Sequence, residues 1–590
     1  MFLRCKVRKK NGKQHRSWSI VENKRVAGGR VLQKQVLYLG EINDSQKQAW
    51  RRSIEVFEEG GPRPKSVALF PEDRLEGVDD NQIIHIRLKD LQLRRPRQWG
   101  ACWLACHLYE QLQLDRFWAH RLPPNRKGTR WDHILQTLVC YRLMDPGSEW
   151  RLHRQWFENS AMADLLGEDC SLVDPHKLYT CHDLLLKHRS ELLEHLNDRW
   201  KDLFNSTHEV LLYDLTSTYF ESNPPFDEQD KRKFGHSRDK RRDCVQVVIA
   251  LVVTPEGFPL AYEVMPGNTS DKTTLQGFLE KIEKLYGKAE RTWVMDRGIP
   301  TEEVLEHMRS QDPPIHYLVG TPKGRLNKYE QRLTQLPWQS VREGVEVKLL
   351  CEEEEIYVLA KSSPRVDKER AMRRRQLKKL WQRLKQLQSM NHSRDQLLLK
   401  LGAARQQSPS AWRLVKINLP KKEGPLAFSL DKKKLRQVRR REGRYLLRTN
   451  LKGEDPAHLW KLYTQLTQVE EAFKNLKSDL AIRPIHHQKE DRIEAHIFIA
   501  FLAYCLQVSL NRRLRDLAPG LTARSVLEKL SSIQMIDVHL PTTDGRQVLL
   551  SRYTQPEKEV EMLLQELKLT LPNQPPPKIT APTIPPASSM

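Results

Sequence analysis

The chain is poor in cysteine, with nine in 590 residues, odd in number and scattered at positions 5, 102, 106, 140, 170, 181, 244, 351 and 505. That excludes a disulfide-stapled scaffold and predicts reduced thiols in a reducing cytoplasm. Cys102-x3-Cys106-His107 and Cys181-His182 resemble halves of a zinc site, but no second matching pair follows, so buried thiols are expected. Long apolar runs are lacking too. The longest, Ala495–Leu510, falls short of the ~20 residues a membrane span needs and carries His496 and Gln507, so it predicts a core helix. Met1–Lys10 is too basic for a signal peptide, and no membrane partner is expected. The third deficit is of acidic residues: 75 Asp+Glu against 99 Lys+Arg, a net charge of +24 and a pI near 9.6. Such a surface fits a polyanion partner, although a basic ribosomal or membrane-surface protein would share it. At this length several domains are expected.

The chemistry begins with Val210–Phe220. Apolar and aromatic residues lead into Asp214, and β-branched and aromatic residues follow, which predicts a buried strand. A carboxylate there needs a cation, a metal or several donors; a strand-end aspartate with ordinary hydrogen bonds is the plainer alternative. A second short apolar strand, Arg291–Met295, again ends in a carboxylate, Asp296, followed by Arg297-Gly298. Between them lie the strands Cys244–Val253 and Pro259–Val264 around the turn Thr254–Gly257, and then the amphipathic segment Thr274–Leu285. Three strands, a helix and a further strand predict a mixed sheet with a crossover, in which two strand-end aspartates converge if their strands are neighbours.

The third piece is a predicted helix, Ala457–Leu480. Leu462, Leu466, Val469, Phe473, Leu476 and Leu480 form one apolar stripe, while Tyr463, Glu470, Lys474 and Lys477 share another face. A solvated ion-pair row is the plain reading of that second face; a metal ligand beside phosphate-gripping cations is the functional one.

These residues resemble a bacterial insertion-sequence transposase of the DDE, RNase H-like type, in the group with a Tyr-x2-Arg-x3-Glu-x6-Lys signature. Tyr463, Glu470 and Lys477 match it, and Leu466 stands at the arginine position. Val469–Ser478, Arg483–His487, Gly235–Asp243 and Asp296-Arg297-Gly298 also resemble the family, and residues 205–510 carry the likeness best. The resemblance implies an α/β fold, an RNase H-like mixed sheet with flanking helices, in which Asp214, Asp296 and Glu470 are the catalytic, metal-binding carboxylates. It implies two Mg²⁺ ions, with Mn²⁺ as substitute, which at ~3.5–4 Å apart serve hydrolysis at an element end and transesterification of the freed 3′-hydroxyl into target DNA. Tyr463, Lys474, Lys477, Lys240 and Arg297 are the expected DNA contacts. Double-stranded DNA, as terminal inverted repeats and as target, is the expected partner, bound by a homodimer.

The remaining organisation follows from composition. Residues 1–45 predict a small basic β meander of Phe2–Arg8, Trp18–Glu22 and Val31–Leu39; 46–97 a helix (Ser45–Glu58) and a linker at Gly60–Pro64. Residues 98–204 predict a helical domain that binds DNA ends, with helices Trp99–Leu112, Trp131–Leu143, Glu149–Phe157 and Tyr179–Leu203. The resemblance implies a catalytic core over 205–321 and 456–515. Between them, 322–455 is expected to be an insertion of strands and a long basic helix or hairpin, Asp367–Leu401, whose Leu377, Leu380, Leu384 and Leu387 suit a surface coiled coil, with DNA clamping or self-association as the functional alternative. Residues 516–570 predict helices and a hairpin, and the proline-rich tail 571–590 disorder. A metal-dependent nuclease without strand transfer, or a non-catalytic DNA-binding regulator, would carry many of the same features.

Overall fold

A computed structural model describes residues 2–10, 13–25, 31–42, 46–47, 50, 86–126, 128–221, 224, 229–237, 239, 241–270, 274–287, 290–296, 299–321, 329, 332, 335–352, 354–390, 393–419, 426–483 and 485–580. The segments Gly60–Pro64 and most of Ser45–Glu58, with Lys240 and Arg297, lie outside the described residues.

The chain opens with β1 (Phe2–Lys10), β2 (Lys13–Arg25) and β3 (Val31–Gly40), an antiparallel meander as expected. Ile20, Val21, Val36, Leu37 and Leu39 are buried, and the neighbours Ile20–Val21 and Val36–Leu37 fall where the β2–β3 register shifts. Where a helix and linker were expected, Gln92–Gln98 forms a strand, β4, whose partner comes from the far end of the chain. Propensity could not show this, because a Pro- and Arg-rich edge strand is fixed by its partner rather than by its own composition.

Helices Gly100–Gln111 and Trp131–Met144 follow the predicted spans. The predicted Tyr179–Leu203 helix is instead two, Pro175–Leu185 and Arg189–Phe204, joined by a tight 3-10 turn at Leu186–His188. Glu149–Phe157 likewise begins as one short α turn, capped by Ser148, and continues as a π turn. These helices wrap Glu490–Leu517, which is long and apolar enough by composition to cross a membrane but has 94% of its apolar window buried inside the protein. It is the core helix the sequence suggested.

The described residues of the centre form one nine-stranded mixed sheet. Its first half is β5 (Val210–Phe220), β6 (Val245–Val253), β7 (Pro259–Pro266), β8 (Thr292–Met295) and β9 (His316–Thr321), in spatial order β9-β8-β5-β6-β7. β5, β6 and β7 pair antiparallel, and β5, β8 and β9 parallel. Parallel neighbours need crossovers, here the helices Leu275–Tyr286 and Glu302–Ser310. This is the RNase H-like arrangement. All nine residues of β6 are buried, and each fully buried Val, Leu or Ile there contributes roughly 1.5–3 kcal/mol relative to exposure.

The insertion does not stand apart. β10 (Gln339–Arg342), β11 (Val345–Cys351) and β12 (Ile356–Ser362), then β15 (Arg444–Thr449), continue the same sheet beyond β9. Between β12 and β15, helices Ser363–Ser389 and Arg394–Gln407 make the anticipated hairpin. β13 (Val415–Asn418) and β14 (Ala427–Leu430) form a small ribbon beside it. The leucine stripe expected to face solvent or another copy is used internally: Leu380, Leu384 and Leu387 pack on Leu397, Leu401, Ala404 and Val415 as a separate small core. The hairpin leaves Arg374, Arg375, Lys378, Lys379 and the following Lys432–Lys434, Arg436, Arg439 and Arg440 exposed.

At the end of the chain, β16 (Gln534–Pro541) and β17 (Gln547–Tyr553) form the predicted hairpin, and β16 pairs with β4. Arg97 of β4 is buried between Asp164, at 2.6 and 2.8 Å, and Asp537, at 3.0 Å. The tail departs from expectation. Residues 571–580 lie along this sheet and end in β18 (Lys578–Thr580), paired with β17. Prolines donate nothing but still offer carbonyls: Tyr553 Oη donates to Pro572 O, and Arg552 to Pro575 O. Residues 581–590 lie outside the described residues.

Candidate active site

β5 and β8 run parallel with Tyr213 opposite Met295. One residue on in each strand stand Asp214 and Asp296, so adjacent strands, ~4.8 Å apart, carry the two aspartates at matching positions. β8 stops at Met295 while β5 runs on to Phe220, so Asp214 sits where the cleft between them opens. Asp214 is half-buried and its Oδ1 accepts the Leu215 N–H at 2.7 Å; Asp296 is exposed.

Glu470 comes from the third expected piece, which is less regular than its composition suggested. The predicted helix Ala457–Leu480 divides into Pro456–Thr464, Leu466–Lys474 and a π turn at Asn475–Asp479. The apolar stripe is buried as expected, and Leu466–Lys474 packs on β5 and β6. This packing turns Glu470 and Lys474 outward, both exposed. Burial raises the pKa of the Tyr445 phenol at the start of β15, the Arg365 guanidinium opposes this, and the negative charges of Glu369 and Glu470 add a smaller upward push. Tyr463 is half-buried with its ring 6.3 Å from both Tyr445 and Trp460, and Arg365 lies 4.2 Å over the Tyr445 ring. Leu466, at the signature's arginine position, is a core residue.

Lys477 is not a solvated cation. Its ammonium lies 3.2 and 3.3 Å from the two oxygens of Asp239, which also pairs with Arg483. The Arg483 and Arg241 guanidinium groups lie 5.2 and 4.8 Å from the Tyr219 ring centroid on β5. Tyr445 gave no sequence signal of its own; Asp239 and Arg483 lie in the family-like stretches Gly235–Asp243 and Arg483–His487, and Tyr219 in the Asp214 strand, but nothing in the sequence pairs them.

Three carboxylates and no sulfur or imidazole make a hard-oxygen donor set, which suits Mg²⁺ or Mn²⁺. Among the described residues the compact group of ligand atoms is elsewhere, at Glu149, His182 and His487.

Residues 205–506 match the family model described as a transposase DDE domain, and the chain belongs to that family. Within it, residues 3–62 match the N-terminal domain of IS1634 family transposases, so this is a DDE transposase of the insertion-sequence kind. No curated protein sequence matches the chain. Among solved structures, the chain is similar to a piggyBac transposase synaptic complex with hairpin DNA, at 10% identity and a TM-score of 0.35, over 75% of this chain and 82% of that one.

Proposed function

We propose that the protein binds the ends of an insertion sequence, cleaves the DNA there, and joins the freed 3′-hydroxyls to target DNA, with Asp214, Asp296 and Glu470 as the catalytic carboxylates. The observation that supports this is the parallel pairing of β5 with β8, whose matched residues Tyr213 and Met295 directly precede Asp214 and Asp296, with the Glu470 helix packed on β5 and β6. When bound, Mg²⁺ or Mn²⁺ supplies Lewis-acid stabilisation of the attacking and leaving phosphodiester oxygens. The three side chains hold the ions. Lys474, exposed one helical turn after Glu470, and Tyr463, Lys477, Lys240 and Arg297 hold the DNA end. The cationic faces of the Ser363–Ser389 and Lys432–Arg441 helices extend the phosphate track, which positions the duplex without reading its sequence. Two ends must meet for joining, and a homodimer on DNA provides two such sites.

The test is an incubation of the protein with element-end DNA and a target plasmid in Mg²⁺. Joined products establish strand transfer. Cut ends without joined products would reduce the protein to a nuclease. End binding with neither product, unaffected by Asp214→Ala, Asp296→Ala or Glu470→Ala, would make it a regulator.

A further inference from the structure

Away from the three carboxylates, four elements bury a second set of metal-ligating side chains. Glu149 opens the short helix after Ser148, His182 lies in Pro175–Leu185, His487 follows the π turn of the Glu470 segment, and His496 lies in Glu490–Leu517. His182 Nε2 and His487 Nε2 each stand 3.3 Å from Glu149 Oε1, and the three ligand atoms all lie within 4.8 Å of one another. Metal–ligand bonds of about 2.0–2.1 Å at tetrahedral angles separate neighbouring ligand atoms by about 3.3 Å, which matches the spacing of each histidine from Glu149.

We propose that Glu149, His182 and His487 bind one zinc-class divalent ion, a structural centre separate from the DNA-processing carboxylates. Its second support is His182. That side chain is fully buried, and neither ring nitrogen has a hydrogen-bond partner among the described residues, although Nε2 lies so close to Glu149. A buried imidazole with both nitrogens unsatisfied is costly, and coordination through Nε2 relieves it.

The surroundings complete a supporting shell. His496 Nε2 faces the Ile482 carbonyl at 3.2 Å, which fixes the proton there and leaves Nδ1 for Arg142 Nη2 at 3.5 Å. Arg142 also donates to Ala481 O at 3.1 Å. Arg492, the other nearby cation, is neutralised by Asp183 at 2.7 Å. The ion therefore ties the front helical region to the segment that leaves the Glu470 helix and carries Arg483. Cys181, beside His182, is not a ligand; only His182 of that pair belongs to the site.

The full-length protein, purified without chelator, is analysed for metal content. It is then freed of metal and titrated with Co²⁺, whose visible absorption reports a low-coordinate imidazole–carboxylate centre. One equivalent of bound zinc, or one equivalent of Co²⁺ displaced by equimolar Zn²⁺, with a melting temperature that falls on chelation and recovers on Zn²⁺ addition, is the expected result. His182→Ala and Glu149→Gln should lose the ion, and Asp214→Asn should keep it. No stoichiometric binding by the unaltered chain overturns the site, whatever the variants do. So does binding that survives both site variants, or binding lost in Asp214→Asn instead.

Discussion

Replacing Lys477 by alanine separates two roles that one ammonium could play. In the free protein it sits 3.2 and 3.3 Å from the Asp239 oxygens, with 14% of the lysine and 17% of the aspartate side chain exposed. Breaking a fully buried pair costs ~3–5 kcal/mol and an exposed one ~0–1. Because Arg483 stays on Asp239 and keeps that carboxylate compensated, the cost here lies near the lower limit, about 1 kcal/mol. A phosphate contact has a different signature: each one adds about 0.9 to the slope of log K against log salt, or about 3.5-fold in affinity between ~50 and ~200 mM. Anisotropy of labelled end DNA across a salt series, run beside thermal melts, reads both quantities. If Lys477 exchanges Asp239 for a phosphate, Lys477→Ala lowers the slope by about 0.9, and Lys477→Arg retains it. A lowered melting temperature with an unchanged slope would refute the reasoning and leave Lys477 as a structural partner of Asp239 alone.

Other outcomes follow from the same structure. Asp214→Asn, Asp296→Asn and Glu470→Gln should each abolish cleavage of end DNA and leave its binding within a few-fold, checked by gel assay and anisotropy. Leu384→Ala, in the small core of the insertion hairpin, should cost ~2–5 kcal/mol, read as faster hydrogen exchange confined to 363–407 while the central sheet stays protected. Arg97→Ala should cost ~1–3 kcal/mol in denaturant melts, because buried Asp537 loses its closest cation and keeps Arg95 at 3.4 Å and Ser551 at 2.7 Å. Burial opposes the ionisation of Asp537, but hydrogen bonds from Arg97 and Ser551 prevail and depress its pKa. Its stabilisation is therefore present above the ordinary carboxylate range and is lost as pH falls through the depressed value; acid melts of Arg97→Ala should lack that component.

The first half of the central sheet and the segment that bears Glu470 were legible because their signals are local. Asp214 and Asp296 each end an apolar run, and the Leu462–Leu480 stripe gives away which side Glu470 faces. What was not legible depends on partners distant in sequence. β15 joins the sheet by pairing with both β9 and β12, and β4 by pairing with β16, so neither composition nor period predicts the pairing. The interruption at Gln465 and the π turn after Lys474 change no hydrophobic spacing, and a periodicity reading passes over them. Glu149, His182 and His487 share no motif. Their meeting is a product of helix packing, and the zinc spacing rules applied to Cys181-His182 looked for neighbours along the chain.

The pairing of β4 with β16 has a consequence for biosynthesis. Arg97 and Asp537 are 440 residues apart, so at ~5–20 residues per second β4 emerges from the ribosome roughly 20–90 s before its partner exists. Throughout that interval its edge is open to mispairing. A prematurely terminated product never closes it, and it carries a buried-type arginine with only Asp164 to answer it. Full-length synthesis is thus itself a checkpoint on whether a molecule becomes competent to act on DNA.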